Sequence, residues 1–483
     1  MSAFVDSYDL VIVGSGFASM FYLEGALKKP NGPKRILVIE FGRFENYAER
    51  LMRQINQSGD SESEQASGRK GAYFLNKTPE KPWTARIAFG GGSNCWFGST
   101  PRILPSDFKM KTNFGVGEDW PVTYDELEPF YCEAEEMMQI SGSSDMPYPM
   151  SRPYPLGPHR FSEPDQALKN AYPDRFFVVP TARASEASRR AGCCNNGVCF
   201  MCPVDAKFTV ENGLQKTYQN AQVRFVYETE VTRLEHQGDR VTGVVCKKDG
   251  REFAVKTDRV VLGANAISNP YILLRSGIDH PETGRGLCEQ AGVKVQVTLE
   301  GMKNFQGSTV TTGWGVNDLF GDHRRHRAGF MFNTVNRAMN LSLDPRSPFS
   351  DLEIIVAVED FRRADNRVTF EEGVDRPVVR FNGVSELTGR TLRELPAHLE
   401  KILSVLPVKK MKIVPDGRKT ESHIQCTTPM GDDPRTSVVD RHGIHHGKRN
   451  LWVLGSGMFP TASPPNPSLT ISALSLFSAH HTA

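Results

Sequence analysis

Residues 8–29, YDLVIVGSGFASMFYLEGALKK, and residues 35–40, RILVIE, decide the fold. Leu10 to Val13 is an unbroken apolar run with valines and an isoleucine, the pattern of a strand buried on both faces. Glycines follow at once, in Gly14-Ser15-Gly16-Phe17-Ala18-Ser19, and the next residues suit a helix. A second apolar strand ends at Glu40. Strand, glycine turn, helix and strand make a βαβ unit, and this turn is of the kind that receives a dinucleotide. Gly14 permits the tight turn, and Gly16 lets the backbone approach a pyrophosphate. The start of the helix offers free N–H groups and the positive end of its dipole. Ser19 stands where a third glycine is usual and is small enough for close helix–strand packing. Glu40 lies about 20 residues past the turn, where a carboxylate accepts from a ribose hydroxyl. The competing reading is a glycine-rich turn without a ligand. A fingerprint so early in a long chain suits FAD, with later segments closing over it.

The chain has 483 residues, too many for one compact core. A formal net charge of +2 supplies no bulk field for nucleic acid or an anionic membrane. No apolar run reaches the ~18 residues of a spanning helix. The opening MSAFVDSYDLVIVGSG has no basic stretch and no cleavage site after an apolar one, so it does not read as a signal peptide. A cytoplasmic location is expected, with export alongside a partner still compatible. Stable disulfides are rare there, and nine cysteines is an odd number.

Residues 41–85 are polar and irregular and read as an exposed loop or lid edge, most clearly in NQSGDSESEQASGRKG. AFGGGSNCWFGSTPRI follows, where Gly90 to Gly92 let the backbone lie against a flat or anionic group. Thr123 and Glu126 suggest a capping box opening a helix. Residues 144–190 read as an excursion over the surface. Residues 223–264 alternate as strands with turns at Gly238-Asp239 and Asp249-Gly250, and AISNPYILLRSG is a short helix stopped by Gly277. Four strand-like stretches between 293 and 382, and a helix over 386–405 despite Pro396, suggest an antiparallel sheet backed by a helix. The expected class is therefore α/β plus α+β: a Rossmann-like FAD-binding domain (1–130, 191–292 and 416–483) interleaved with a substrate-binding domain (131–190 and 293–415). Arg324, Arg325 and Arg327 read as a solvated charge cluster, with an acidic substrate as the alternative. His442, His445 and His446 read as solvated loop residues, with a metal site as the alternative.

Two late segments carry the chemistry: SHIQCTTPMGDDPRTSVVD (422–440) and NLWVLGSGMFPTASPPNPSLTISALSLFSAHH (450–481). In the second, a strand meets a Gly-Ser-Gly turn, then a proline-rich loop, then a helix opening near Ser468. Asn466 precedes Pro467 and is pushed into an extended conformation just before that helix. These segments, with VGSGFAS and Glu40, GGGSNCW, DWPVTYDELEPFY and VVLGANAISNPYILLRSG, resemble the GMC family of FAD-dependent alcohol and sugar oxidoreductases. The resemblance is nearly full length and collinear. It is greatest to bacterial sugar dehydrogenase flavoprotein subunits and to aminoglycoside-pathway dehydrogenases.

The resemblance implies roles. His423 matches the family's catalytic histidine and Asn466 its partner over the flavin. A neutral imidazole suits removal of a hydroxyl proton, and flavin N5 takes the hydride. The Asn466 amide can donate to the forming alkoxide. Cofactor contacts are implied for Gly14, Gly16, Ser19, Glu40, Gly91, Gly92, Ser93, Cys95, Trp96, Val231, Ala264, Gly455, Ser456, Pro467 and Ser468. Cys95 takes a slot where several relatives carry a histidine. A cysteinyl–flavin bond is one reading, but a small buried residue under non-covalent FAD is the expected one. Expected partners are a small alcohol or sugar substrate and a redox protein or quinone, with neither nucleic acid nor a membrane span.

AGCCNNGVCFMCPVDAKF holds Cys193, Cys194, Cys199 and Cys202 within ten residues. Thiolates suit iron–sulfur clusters or zinc, and C-x2-C-P is ferredoxin-like. The segment resembles one that holds a three-iron cluster in some sugar dehydrogenases, although two residues rather than three separate Cys199 from Cys202. An iron–sulfur cluster on three or four of these thiols, zinc, and structural thiols or a disulfide are the open readings. A cluster implies a dehydrogenase passing electrons singly. Without one, an oxidase using O2 and releasing peroxide is the alternative. An electron-relay subunit with no substrate of its own is the third reading, and it would need no base.

Overall fold

The computed structural model describes residues 7–56, 73–197, 199–336, 350–414 and 418–482. Leu10–Val13 lies inside a six-stranded sheet in the order Ile444–His445, Lys448–Val453, Val260–Leu262, Leu10–Val13, Ile36–Ile39, Val223–Val226. Every pairing is parallel except the hairpin at the first edge. Both faces are covered, which is why the strands are apolar without alternation. The helices Phe17–Leu27 and Ser468–Thr482 pack on each other and are apolar nearly all round, as expected of helices with no solvent face. Gly25 makes the approach possible, since a Cβ there would stand 2.7 Å from that of Ala479.

A second six-stranded sheet is antiparallel throughout: Val408–Val414, Ala291–Leu299, Asp351–Val358, Phe330–Val335, Thr311–Gly315, Phe176–Val178. Val295, Val297, Leu352, Ile354, Val356, Phe330 and Phe332 form a core with Leu395, Leu399 and Leu403. Those leucines recur every four residues along the helix Glu386–Leu403, one stripe facing the sheet. Pro396 sits within this helix. Glu230–Gln237, Arg240–Lys248 and Arg251–Thr257 form the expected meander, with Ser7–Tyr8 added at its edge. Thr123 and Glu126 form the capping box of the helix Tyr124–Met138. Among the described residues no helix is long and apolar enough to cross a membrane.

Three expectations change. Residues 41–85 are not one exposed loop: they hold the helix Tyr47–Asn56 and the strand Leu75–Asn76, parallel to Val378–Arg380. Phe74 and Trp83 are buried in a satellite core with Ala266, Ile267, Leu287, Val368, Val379 and Ile424. Two lone aromatics in polar sequence give no period, so their burial was not legible; residues 57–72, most of the polar stretch, lie outside the described residues. Nor are Arg324 and Arg327 solvated. Arg324 is fully buried between Asp107 (2.6 Å) and Glu359 (2.5 Å), and Arg327 pairs with Asp318 at 2.6 Å. The carboxylates facing Arg324 come from distant parts of the chain, so sequence spacing hides them. His445 is likewise buried, 4% exposed.

Burial of two imidazoles makes the fold acid-sensitive. His159 hydrogen-bonds Ser308 Oγ (3.0 Å) and the Arg183 carbonyl (2.9 Å), and burial pushes its pKa down to about 4. His445 is pushed to about 4 by the same cause. As pH falls below 6.5 the unfolded chain takes up these protons first, so stability is full above that pH and declines toward pH 4. Each histidine accounts for up to about 3 kcal/mol of the loss. Equilibrium unfolding from pH 7 to pH 4 should show this slope, and His159→Gln should flatten it; an unchanged slope would contradict the neutral, buried imidazole.

Candidate active site

Three glycine turns line up along the carboxyl edge of the parallel sheet, where open α/β sheets bind ligands. Gly14 N–H donates to Ile39 O (2.8 Å), Gly263 N–H to Val13 O (2.9 Å) and Leu454 N–H to Leu262 O (2.8 Å). Gly14 has φ +88°, and a Cβ there would stand 2.9 Å from Gly263 O. Ser19 packs so close that a Cβ on Gly263 would meet its Oγ at 2.1 Å. Among the described residues, the helix that starts at Phe17 has no side-chain cap and nothing lies within 4 Å of where a Cβ on Gly16 would be. Gly91 approaches Gly16 from above, and beyond it the space over Gly92 is open. Ser15 Oγ donates to Glu40 Oε2 (2.6 Å) and Gly42 N–H to Oε1 (2.7 Å), so Glu40 is held beside the turn with lone pairs to spare. Its burial pushes that carboxyl's pKa up. Free amides at a helix start, open glycine backbone and an anchored carboxylate are what a dinucleotide requires.

The rest of the sequence-derived set gathers around this edge. Ser93 Oγ donates to Gly90 O and accepts from Val210 N–H, fixing the turn. Trp96 donates to Phe208 O (2.8 Å) and stacks edge-on against Phe17, 4.8 Å between centroids. Ala264 lies against Gly14, and Gly455 faces Ala18. Val231 is buried two residues beyond Thr229, whose N–H donates to Glu40 O. Cys95 is partly exposed, and burial of its thiol keeps the pKa above the usual value.

His423 and Asn466 meet. Asn466 Nδ2 lies 3.4 Å from His423 Nε2. On its other side His423 Nδ1 is 3.1 Å from Gln290 Oε1. The Gln290 amide cannot turn round: its Nε2 donates to Ser463 O (2.6 Å) and Pro465 O (3.4 Å). Its oxygen therefore faces the imidazole and accepts from Nδ1–H, which leaves Nε2 as a bare acceptor. Burial, and then the Arg418 cation, push the imidazole pKa down to about 3, so the ring is neutral at ordinary pH. Asn466 Oδ1 is buried without a hydrogen-bond partner among the described residues. Ser422 (φ +60°) and Cys426 (φ +71°) are left-handed on either side of the histidine, strain of the kind that gathers at functional sites. The segment is tied to the cradle, since Ser456 Oγ donates to Ile424 O and Cys426 N–H to Ser456 O. Pro467 accepts from Ile471 N–H at the start of the helix that opens at Ser468. Gln290 was not singled out from the sequence; a glutamine between strands carries no spacing signal.

The four clustered cysteines are free thiols. Cys199 is buried, Cys194 exposed, Cys193 Sγ faces Thr309 Oγ1 (3.4 Å) and Cys202 Sγ accepts from Ala206 N–H (3.2 Å). Among the described residues no three histidines, cysteines or acids make a metal-binding group. As they stand these thiols do not fit an iron–sulfur cluster, and no electron step is routed through them. Beneath the loop Lys207 is fully buried, donating to Trp96 O, Cys199 O and Phe200 O.

Comparison with known proteins agrees with this architecture. Two models, both described as GMC oxidoreductase, match residues 171–291 and 375–475. The fructose dehydrogenase large subunit of Gluconobacter japonicus is 26% identical over 84% of this chain and 83% of its own. The paromamine 6'-oxidase of Streptomyces fradiae is 27% identical over 83% of this chain and 79% of its own. The solved structure of pyridoxine 4-oxidase from Mesorbium loti covers 99% of both chains with a TM-score of 0.67 at 17% identity, a likeness of fold. The parallel sheet with its glycine edge and the two matched segments lead to one conclusion: the chain belongs to the GMC oxidoreductase family, flavin-dependent enzymes that act on CH–OH groups.

Proposed function

We propose that the protein is an FAD-dependent dehydrogenase that oxidises a hydroxyl of a sugar, glycoside or aminosugar, with His423 as the base and Asn466 as its partner. The observation that carries this reading is the chain Gln290–His423–Asn466, which presents a bare, neutral Nε2 beside an amide donor. A substrate hydroxyl placed ~2.8 Å from both atoms would donate to His423 Nε2 and accept from Asn466 Nδ2. FAD, when bound, supplies the hydride acceptor for the carbinol carbon. His423 is too weak a base to ionise an alcohol in its ground state, so the proton reaches Nε2 as the C–H bond breaks. Asn466 stabilises the oxygen during that interval without changing its own protonation. Gln290 Oε1 then faces an imidazolium whose Nδ1–H it already accepts.

The sugar class is supported by the fructose dehydrogenase and the paromamine oxidase among the relatives. We assign residues 1–130, 191–292 and 416–483 to the cofactor part and residues 131–190 and 293–415 to the substrate part. All strands of the parallel sheet fall in the first set, and those of the antiparallel sheet in the second, apart from Ala291–Leu299, which crosses the boundary. FAD held without a covalent bond is the reading for Cys95, whose thiol burial keeps protonated. An oxidase is the second reading, favoured by the oxidase among the relatives; oxygen uptake with peroxide release under turnover identifies it. Iron and acid-labile sulfide in stoichiometric amount would restore the cysteine segment as an electron relay.

Replacing the base is the direct test. His423→Ala should slow anaerobic flavin reduction by ~10²–10⁴-fold with FAD retained. Gln290→Leu should slow it by about tenfold or more through loss of the tautomer, with the cofactor still bound. A His423→Ala protein that reduces its flavin at the wild-type rate would refute the assignment. Because the imidazole is neutral above about pH 3, the reduction rate should be flat from pH 5 to pH 8. An acid limb near pH 6.5 in stopped-flow traces would contradict the desolvated imidazole.

A further inference from the structure

Behind His423 lies a group of charges that the proposed chemistry does not use. Glu289 is 3% exposed. Its Oε2 accepts from the backbone N–H of His423 (3.1 Å) and from Thr420 Oγ1 (3.2 Å), and its Oε1 accepts from Lys81 Nζ. Lys81 comes from a remote segment; it also donates to Lys419 O (3.0 Å) and lies 4.6 Å from the centroid of the buried Trp83 ring. Beside them Arg418 pairs with the buried Glu421. Two cations and two carboxylates thus back one imidazole. Among the described residues the thiols of Cys288 and Cys426 are packed there too, with Asp360 and Arg362 beside Cys288, and the loop that brings Asn466 contributes no charge.

Residues 288–290 grip residues 423–425 at three points. Cys288 and Gln425 exchange two backbone hydrogen bonds, Glu289 holds the His423 amide, and Gln290 holds its Nδ1. A backbone N–H bonded to a carboxylate is a strong, charge-assisted contact. It is useful to a neutral base only if the carboxylate's field is cancelled, because a bare negative charge nearby favours imidazolium. Lys81 is placed to do that.

We propose that Lys81 and Glu289 are positioning residues for the base: the carboxylate fixes the backbone at His423, and the ammonium cancels its charge so that the ring stays neutral. The inference rests on His423 being the base. Thr84 Oγ1 also meets Ser422 Oγ, so residues 81–84 strap the loop that carries His423. Removing Lys81 alone leaves a buried, uncompensated carboxylate. Its field then raises the imidazole pKa, and the acid limb of flavin reduction climbs into the accessible range. Removing both charges returns the limb to its place. Removing Glu289 alone leaves a cation, which drives the imidazole pKa down instead.

The test is anaerobic flavin reduction against pH in the FAD-loaded protein, for wild type, Lys81→Met, Lys81→Arg, Glu289→Gln and the double variant Lys81→Met/Glu289→Gln. An acid limb should appear above pH 5 in Lys81→Met, in the range where the wild-type rate is flat, a rise of about two pH units or more. It should hold its wild-type place in Lys81→Arg and in the double variant, and should not rise in Glu289→Gln. A merely structural strap would lower the rate or the melting temperature and leave the limb unmoved. A limb unmoved in Lys81→Met, or raised equally in Glu289→Gln, overturns the inference. Should Lys81→Met fail to fold, Glu289→Gln and the charge-free double variant decide it: a limb raised in either counts against. His423→Ala separates the two claims. If that variant still reduces flavin, the base assignment has failed; if it is inactive while the Lys81→Met limb stays put, only the present inference has.

Discussion

A buried, uncharged imidazole at His423 is met by a matching set of neighbours. Its Nδ1–H needs an acceptor that cannot also donate, and Gln290 meets this because two carbonyls, Ser463 O and Pro465 O, fix which way its amide points. Those carbonyls belong to the proline-rich loop that also delivers Asn466. One amide therefore sets the tautomer of the histidine and braces the loop bearing its partner. The left-handed conformations of Ser422 and Cys426, each costing about 1–2 kcal/mol, persist because the segment between them is held on both edges.

The same economy governs the cofactor edge. Gly14, Gly263 and Gly455 belong to turns that leave three neighbouring strands, and each turn closes on the strand beside it through a backbone hydrogen bond. A Cβ on Gly14 would collide with Gly263 O at 2.9 Å and one on Gly263 with Ser19 Oγ at 2.1 Å, whereas Gly455 is required by its φ of +110°. At Gly14 and Gly263 the flat floor follows from packing too close for anything but hydrogen.

Much of this was legible in the sequence. The apolar run at Leu10–Val13, the spacing of Gly14 and Gly16 and the placement of Glu40 announce a parallel sheet and its edge, because local periodicity and backbone sterics act over a few residues. The Thr123 capping box and the turns at Gly238 and Gly250 are local in the same way. What escaped was non-local. Arg324 finds Asp107 across 217 residues and Glu359 across 35 in one core, and no spacing rule couples them. Trp83, Lys81 and Glu289 are ordinary in their own segments and acquire meaning only when the chain brings them behind residue 423. The cysteine segment shows the converse. Dense thiols suggest a metal, yet Cys193 and Cys202 take hydrogen-bond partners of their own in Thr309 Oγ1 and Ala206 N–H.

The contact between Gly25 and Ala479 has a consequence for how the protein matures. The helix Phe17–Leu27, which begins the dinucleotide site, is made well before the helix Ser468–Thr482 that covers it. Between the two, the parallel sheet lacks the strand Lys448–Val453 and its apolar helix lacks a neighbour. The nascent chain therefore carries an incomplete nucleotide fold until both helices have been made.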